Sequence, residues 1–130
     1  MTTDLQPILS IDSLHRFLRE AFPQVADDFE VTEMGTGQLT LRLLPSPKHL
    51  RPGNTVSGPT LFAMADCAVY LAIIAHVGEE ALAVTTNASI DFMRKPAADV
   101  DLYAEVRLLK LGRTLAVGDV MIRNAGLPSC

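Results

Sequence analysis

The spacing of apolar and polar positions changes several times along this chain, and each change marks an element. Leu14, Phe17, Leu18 and Phe22 fall on one helical stripe, with Ser10 or Asp12 as cap and Pro23 as stop, which predicts a helix over 11–22. Residues 29–33 and 38–44 read as two strands, with Leu39, Leu41 and Leu43 on one face and Thr40 and Arg42 on the other. Residues 34–37 form the hairpin turn between them, where the glycines are free to take positive φ. From Thr60 to Ala75 every residue except Thr60 and Asp66 is apolar or tyrosine. Gly58-Pro59 suits a helix start and Gly78 a stop, and a helix apolar on all sides is expected to be buried on most of them. Residues 82–93 then alternate strictly, with Leu82, Val84, Thr86, Ala88, Ile90 and Phe92 on one face and Ala83, Thr85, Asn87, Ser89 and Asp91 on the other. This predicts a strand of about a dozen residues, long for a globular domain. Residues 101–110 and 114–123 read as two more strands, separated by turns at 94–99 and 111–113. Strands gathered around a single long helix make an α+β fold, a single domain over residues 1–130 with the sheet wrapped on that helix.

Composition narrows the classes. The chain has 48% hydrophobic and 20% charged residues with a net charge of −4, the profile of a soluble protein without the basic face that nucleic acid requires. The first residues lack a basic stretch followed by an apolar core, so no secretory signal is expected. Cys67 and Cys130 read as free thiols in a reducing cytoplasm. His15 has no ligand partner one turn away, no metal-ligand spacing occurs elsewhere, and no cofactor is implied.

Asp66 is the anomaly. No Lys or Arg lies between Arg51 and Arg94, so nothing basic can pair with Asp66 one turn away. One reading is a carboxylate satisfied by hydroxyl or backbone donors. A membrane span would need the Asp near its centre, at about 2.5–3.5 kcal/mol, and lacks flanking basic residues. The third reading is a catalytic carboxylate in a dry pocket. Ahead of the helix, residues 45–56 form a loop punctuated by Pro45, Pro47, Pro52 and Gly53, made locally basic by Lys48, His49 and Arg51. It is either a solvated loop or a phosphate contact.

The helix start, Ser57-Gly58-Pro59 with Asp66 nine residues after Ser57, resembles that of the hotdog-fold acyl-CoA thioesterases. The nearest branch is the phenylacetate-degradation branch of the 4-hydroxybenzoyl-CoA thioesterase superfamily. Residues 83–96 and 108–116 also look like that family's third and fourth strands, and the likeness runs from about Leu14 to Arg123. It implies an antiparallel sheet wrapped around one long helix, with active sites at a dimer interface and often a dimer of dimers. Ser57 stands where the branch has His and Pro59 where it has the second Gly of His-Gly-Gly. The family's loop Asn falls at Arg51, with Asn54 out of register, and relatives usually continue beyond position 130 through another strand.

Thioester hydrolysis needs a donor for the developing oxyanion and a carboxylate to activate water or attack directly. The Gly58 N–H at the positive helix end supplies the first and Asp66 the second. Residues 59 and 66 lie roughly 10 Å apart along a helix axis, so one thioester carbon cannot sit beside both within one chain. Two helices antiparallel across a two-fold axis would bring Gly58 of one against Asp66 of the other. The resemblance puts a hydroxyl near the carboxylate at Thr85, with Thr86 as fallback. It also makes Asn54, Ser57, Pro59 and Thr86 candidates for substrate contact; Arg94, Lys95, Lys110 and Arg113 cluster at strand ends and read either as contacts to coenzyme A phosphates or as solvated turn charges. The expected partners are an acyl-CoA and a second copy of the chain, with no nucleic acid or membrane. A hydratase of the same fold would want a histidine beside the acid, and only His15, His49 and His76 are available. A non-catalytic acyl-CoA sensor or scaffold is the alternative of a different class. No Gly-x-Ser-x-Gly elbow is present for a serine hydrolase.

Overall fold

In the computed structural model, residues 6–79, 83–127 and 130 are described. Helix α1 (Ile11–Ala21) begins where Ser10 accepts the Ser13 N–H at 3.1 Å, and Leu14 and Leu18 on its apolar stripe are buried. Strands β1 (Phe29–Gly35) and β2 (Gln38–Leu43) follow as a hairpin whose turn needs Gly37 at φ +64°. A short 3-10 turn (Pro47–His49) and the two-residue pair β3 (Leu50–Arg51) and β4 (Thr55–Val56) lead into the long helix α2 (Gly58–Val77). The chain ends in the hairpin of β5 (Leu102–Leu111) and β6 (Ala116–Asn124).

The main sheet is antiparallel throughout, in the order β1-β2-β5-β6. Its inner face carries Leu39, Leu41, Leu43, Leu102, Ala104, Val106 and Leu108, all buried. α2 lies across this face, and Met64, Ala68, Leu71, Ala72, Ile74 and Ala75 are each fully buried. The approach is close. A Cβ on Gly118 would stand 3.1–3.2 Å from the Val69 methyls, so only glycine lets β6 reach the helix without displacing it. On the outer face, cross-strand pairs such as Arg123–Glu105 at 2.9 Å keep the sheet solvated. One antiparallel sheet curled on one long helix is the α+β hotdog arrangement. α2 is long and apolar enough to cross a bilayer, but its C-terminal half is core packing of this sheet.

Two expectations need correction. First, α2 is buried or half-buried at most positions as expected, but one face of its first half is open: Pro59, Phe62, Ala63 and Asp66 stand exposed there at helical spacing. The sheet covers one side of the helix; on the other, among the described residues, Thr85 meets Asp66 and Phe92 faces Gly58, and Pro59, Phe62 and Ala63 stay open. Second, residues 83–93 form no strand. They are extended and mostly exposed, and the expected start at Leu82, with Glu80 of the preceding turn, lies outside the described residues. Among the described residues the backbone bonds of this segment are at its end, where Met93 and Arg94 N–H donate to the Cys130 carbonyl at 2.6 and 2.7 Å. Cys130 N–H in turn donates to the Ile122 carbonyl at 2.7 Å. Cys130 thus bridges β6 and the end of this segment, and among the described residues no ladder pairs the rest of it.

Candidate active site

The site is built on the first half of α2, and capping chemistry decides which backbone donor is available there. Ser57 is the N-cap: its hydroxyl accepts the Thr60 N–H at 3.3 Å and shares a 2.8 Å hydrogen bond with the Thr60 hydroxyl. The Ser57 carbonyl takes the Leu61 N–H at 3.1 Å. Pro59 has no N–H. Among the described residues nothing accepts the Gly58 N–H, so it is the one open donor in the first turn. It points out of the positive end of a 20-residue helix, a place that favours an anion.

Two helical turns further on, Thr85 Oγ1 donates to Asp66 Oδ1. The carboxylate is thus oriented by a hydroxyl from the extended segment, and Thr85 rather than Thr86 is the residue that does it. Asp66 is exposed within one chain, so the dry pocket expected around it is not formed by this chain alone. The next residue is different. Burial, together with the adjacent Asp66 charge, pushes the Cys67 thiol up to about 12. Eight residues separate Gly58 from Asp66, about 12 Å along the axis. The two groups are therefore too far apart to serve one carbonyl carbon within a chain.

The loop before α2 is fixed by its own side chains. Asp28 holds Lys48 at 2.8 Å and the His49 ring at 3.5 Å. His49 Nδ1 accepts the Ser46 N–H at 3.0 Å, and its carbonyl accepts the Ser57 N–H at 2.8 Å. Lys48 and His49 thus anchor the approach to the helix through Asp28, with His49 buried, while Lys48 and Arg51 stay exposed. Asn54 sits at φ +57° beside Gly53 in the turn between β3 and β4, a backbone position asparagine tolerates, and its side chain is exposed.

The remaining substrate candidates are exposed but do not gather. Arg94 and Lys95 lie near the start of β5, where Asn124 pairs with Leu102, whereas Lys110 pairs with Val117 at the far end. Eight residues of strand separate those ends, about 26 Å, so the expected single basic cluster does not exist within a chain. Arg113 lies beyond Lys110 in the hairpin loop. Sequence reading missed Asn124. It is buried, accepts the Ala97 N–H at 2.8 Å and donates to the Ala97 and Val100 carbonyls at 3.3 and 3.1 Å, pinning the turn after the extended segment. Its signal was register: positions 118, 120, 122 and 124 face inward, and a polar residue there needs partners. Among the described residues no group of His, Cys, Asp and Glu is arranged to hold a metal.

The pattern of the thioesterase superfamily matches residues 53–130. A solved protein of Silicibacter sp. TM1040, described as a candidate thioesterase, is 50% identical with a TM-score of 0.89, over 96% of this chain and 87% of that one. A Streptococcus pneumoniae TIGR4 protein described as a hypothetical thioesterase, solved with coenzyme A, has a TM-score of 0.73 at 22% identity, over 92% of this chain and 88% of that one. A curated relative from Archaeoglobus fulgidus, described as a candidate esterase, is 30% identical over 98 residues, which are 75% of this chain and 62% of that protein. The match thus spans less than two thirds of that relative's length.

Proposed function

Because the chain belongs to the thioesterase superfamily, we propose that it hydrolyses acyl-CoA thioesters to the free acid and coenzyme A, in a site shared by two subunits. The observation that carries this reading is the arrangement on α2: a carboxylate oriented by Thr85, and an open Gly58 N–H about 12 Å away on the same helix. Two antiparallel copies of this helix place each carboxylate opposite the partner's donor, with the exposed Pro59, Phe62 and Ala63 face between them. The same contact would dry the pocket that one chain leaves open.

In that geometry the thioester carbonyl oxygen takes the Gly58 N–H of one subunit, and Asp66 of the other faces the carbonyl carbon. As general base, Asp66 removes a proton from water as its oxygen attacks. The tetrahedral oxyanion is held by the N–H and the helix terminus, the C–S bond breaks, and the thiolate leaves with the proton from Asp66. As nucleophile, the carboxylate attacks the carbon directly, the C–S bond breaks to release the thiolate, and water then opens the resulting anhydride to return the carboxylate and free the acid. Both routes use the same two groups and no cofactor.

The finer assignments follow from the same reading. Coenzyme A is the expected thiol, and the streptococcal relative solved with coenzyme A is consistent with it. An aryl or short-to-medium acyl group, as in phenylacetate degradation, is what the resemblance of the helix start to that branch implies. Tyr70, one turn beyond Asp66, packs edge-on against Phe22 at 5.8 Å and tilted against Phe17 at 6.1 Å. The dimer is the functional unit, with a dimer of dimers as the next level of assembly and a reducing cytoplasm as its setting. A second reading, acyl-CoA binding without turnover, draws on Ser57: its hydroxyl is committed to capping and does not replace the histidine of relatives. Thiol release from aryl-, phenylacetyl- and short-to-medium-chain acyl-CoAs separates the two. Turnover establishes hydrolysis, whereas binding with no thiol release establishes the sensor.

A further inference from the structure

The geometry points to Phe92 as a specificity-determining residue for the acyl group, an assignment that rests on the hydrolytic reading above. The extended segment touches α2 at both functional positions: Thr85 meets Asp66, and Phe92 meets the helix start. The Phe92 Cζ lies 3.4 Å from where a β-carbon on Gly58 would stand, with Cε1 at 3.7 Å, so the ring edge occupies the space where a side chain at that residue would begin. Gly58 carries the open N–H, one bond from the atom the ring covers.

The backbone just after Phe92 is held in place. Met93 and Arg94 are bonded through their N–H groups to the Cys130 carbonyl, and the Thr55 hydroxyl donates to the Pro96 carbonyl at 2.7 Å. Yet Phe92 is 58% exposed. A large apolar ring, fixed at its root and left open beside an unused donor, is a surface that gains by being covered with something apolar.

A thioester whose oxygen reaches the Gly58 N–H presents two flanks to this ring, the acyl group and the sulfur with its pantetheine chain. The pantetheine amides need hydrogen-bond partners, and a phenyl ring has none to give. The acyl group is the flank that suits it. A flat acyl group can stack on the ring, whereas one branched at the carbon next to the carbonyl needs the volume the ring edge already fills. Phe92 therefore favours flat over branched acyl groups.

The test compares wild type, Phe92→Ala and Phe92→Leu with phenylacetyl-CoA and pivaloyl-CoA. In parallel, binding of the non-hydrolysable phenethyl and neopentyl thioethers of coenzyme A is measured for the same proteins. The expected result is a fall of about tenfold or more in the ratio of kcat/KM for phenylacetyl over pivaloyl in Phe92→Ala, with Phe92→Leu between, and the same trend in the ratio of dissociation constants. A purely structural role would lower both substrates alike. Ratios within twofold of wild type in both variants, with turnover or binding intact, overturn the assignment and leave the hydrolytic reading standing. A wild type that neither turns over nor binds overturns both.

Discussion

Thr85 Oγ1 donates to Asp66 Oδ1, and this is the only side-chain bond among the described residues that ties the segment after α2 to the exposed face of the helix. A hydroxyl in that position fixes one carboxylate oxygen and leaves the other for water or substrate. Asp66→Asn should lower kcat by about 10²–10⁴-fold while leaving fold and assembly intact, since the residue is exposed and the amide is isosteric. Thr85→Val should lower kcat by about tenfold with little change in KM, and Thr85→Ser should restore it. Thiol release with matched circular dichroism checks the series. Full activity in Asp66→Asn would remove the carboxylate from the chemistry.

A shared site makes a prediction that no single-chain site can meet. Gly58→Pro deletes the open N–H, and Ser57 at ψ 152° already has the extended backbone a following proline requires. Gly58→Pro and Asp66→Asn should each be nearly inactive alone. When the two are unfolded and refolded together, random pairing makes half of the dimers mixed, each with one intact site, so about a quarter of wild-type activity should return. No recovery, with mixed dimers demonstrated by mass, would place both groups in the same subunit.

Much of this arrangement is legible in the sequence, and the parts that are not share a cause. The stripe of α1, the Leu39–Leu41–Leu43 face of β2, the limits of α2 and the inward set of β5 follow from local period and caps, which a short window of residues contains. Whether residues 83–93 form a strand depends on a neighbouring edge, which no window contains; alternation assigns faces and cannot supply a partner. The same holds for α2, whose all-round apolar character says what it can bury and not which side the chain leaves open. Lys48 and His49 look like free loop charges until folding brings Asp28 beside them. Arg94 and Lys110 look like neighbours because both end a strand, and the hairpin places them at opposite ends of β5. The open Gly58 N–H follows locally from the Ser57 cap and the proline after it, whereas the Thr85–Asp66 contact is expected only from the family resemblance.

Asn124 should carry more stability than its polar character suggests. It serves one N–H and two carbonyls of residues 97–100 from a buried position. Asn124→Ala leaves those groups without partners and should cost about 2 kcal/mol. Asn124→Asp should cost more, because a carboxylate would face the two carbonyls that the amide N–H₂ now serves. Urea unfolding checks both, and a loss below about 0.5 kcal/mol in Asn124→Ala would show that the turn is held by other contacts. Loss of the turn should also lower activity, since the turn sets the direction of the segment carrying Thr85 and Phe92.

Cys67 gives the fold an alkaline limit whose sign follows from proton binding. In the folded chain, burial and then the neighbouring Asp66 charge raise the thiol from 9.0 to about 12. Above about pH 9 the unfolded chain releases this proton while the folded chain keeps it, so the unfolded state binds fewer protons and stability falls as pH rises. The stabilising contribution is complete below pH 9 and is lost progressively toward pH 12, at up to about 1.4 kcal/mol per pH unit. Unfolding free energies of wild type and Cys67→Ala at pH 8, 9.5 and 10.5 should diverge in slope, with the alanine protein less sensitive to alkali. The same protonated thiol should react slowly with iodoacetamide at pH 8 in the folded protein and quickly in urea. Parallel stability curves for the two proteins, or rapid alkylation without denaturant, would mean that Cys67 is open to solvent where it meets α2's uncovered face.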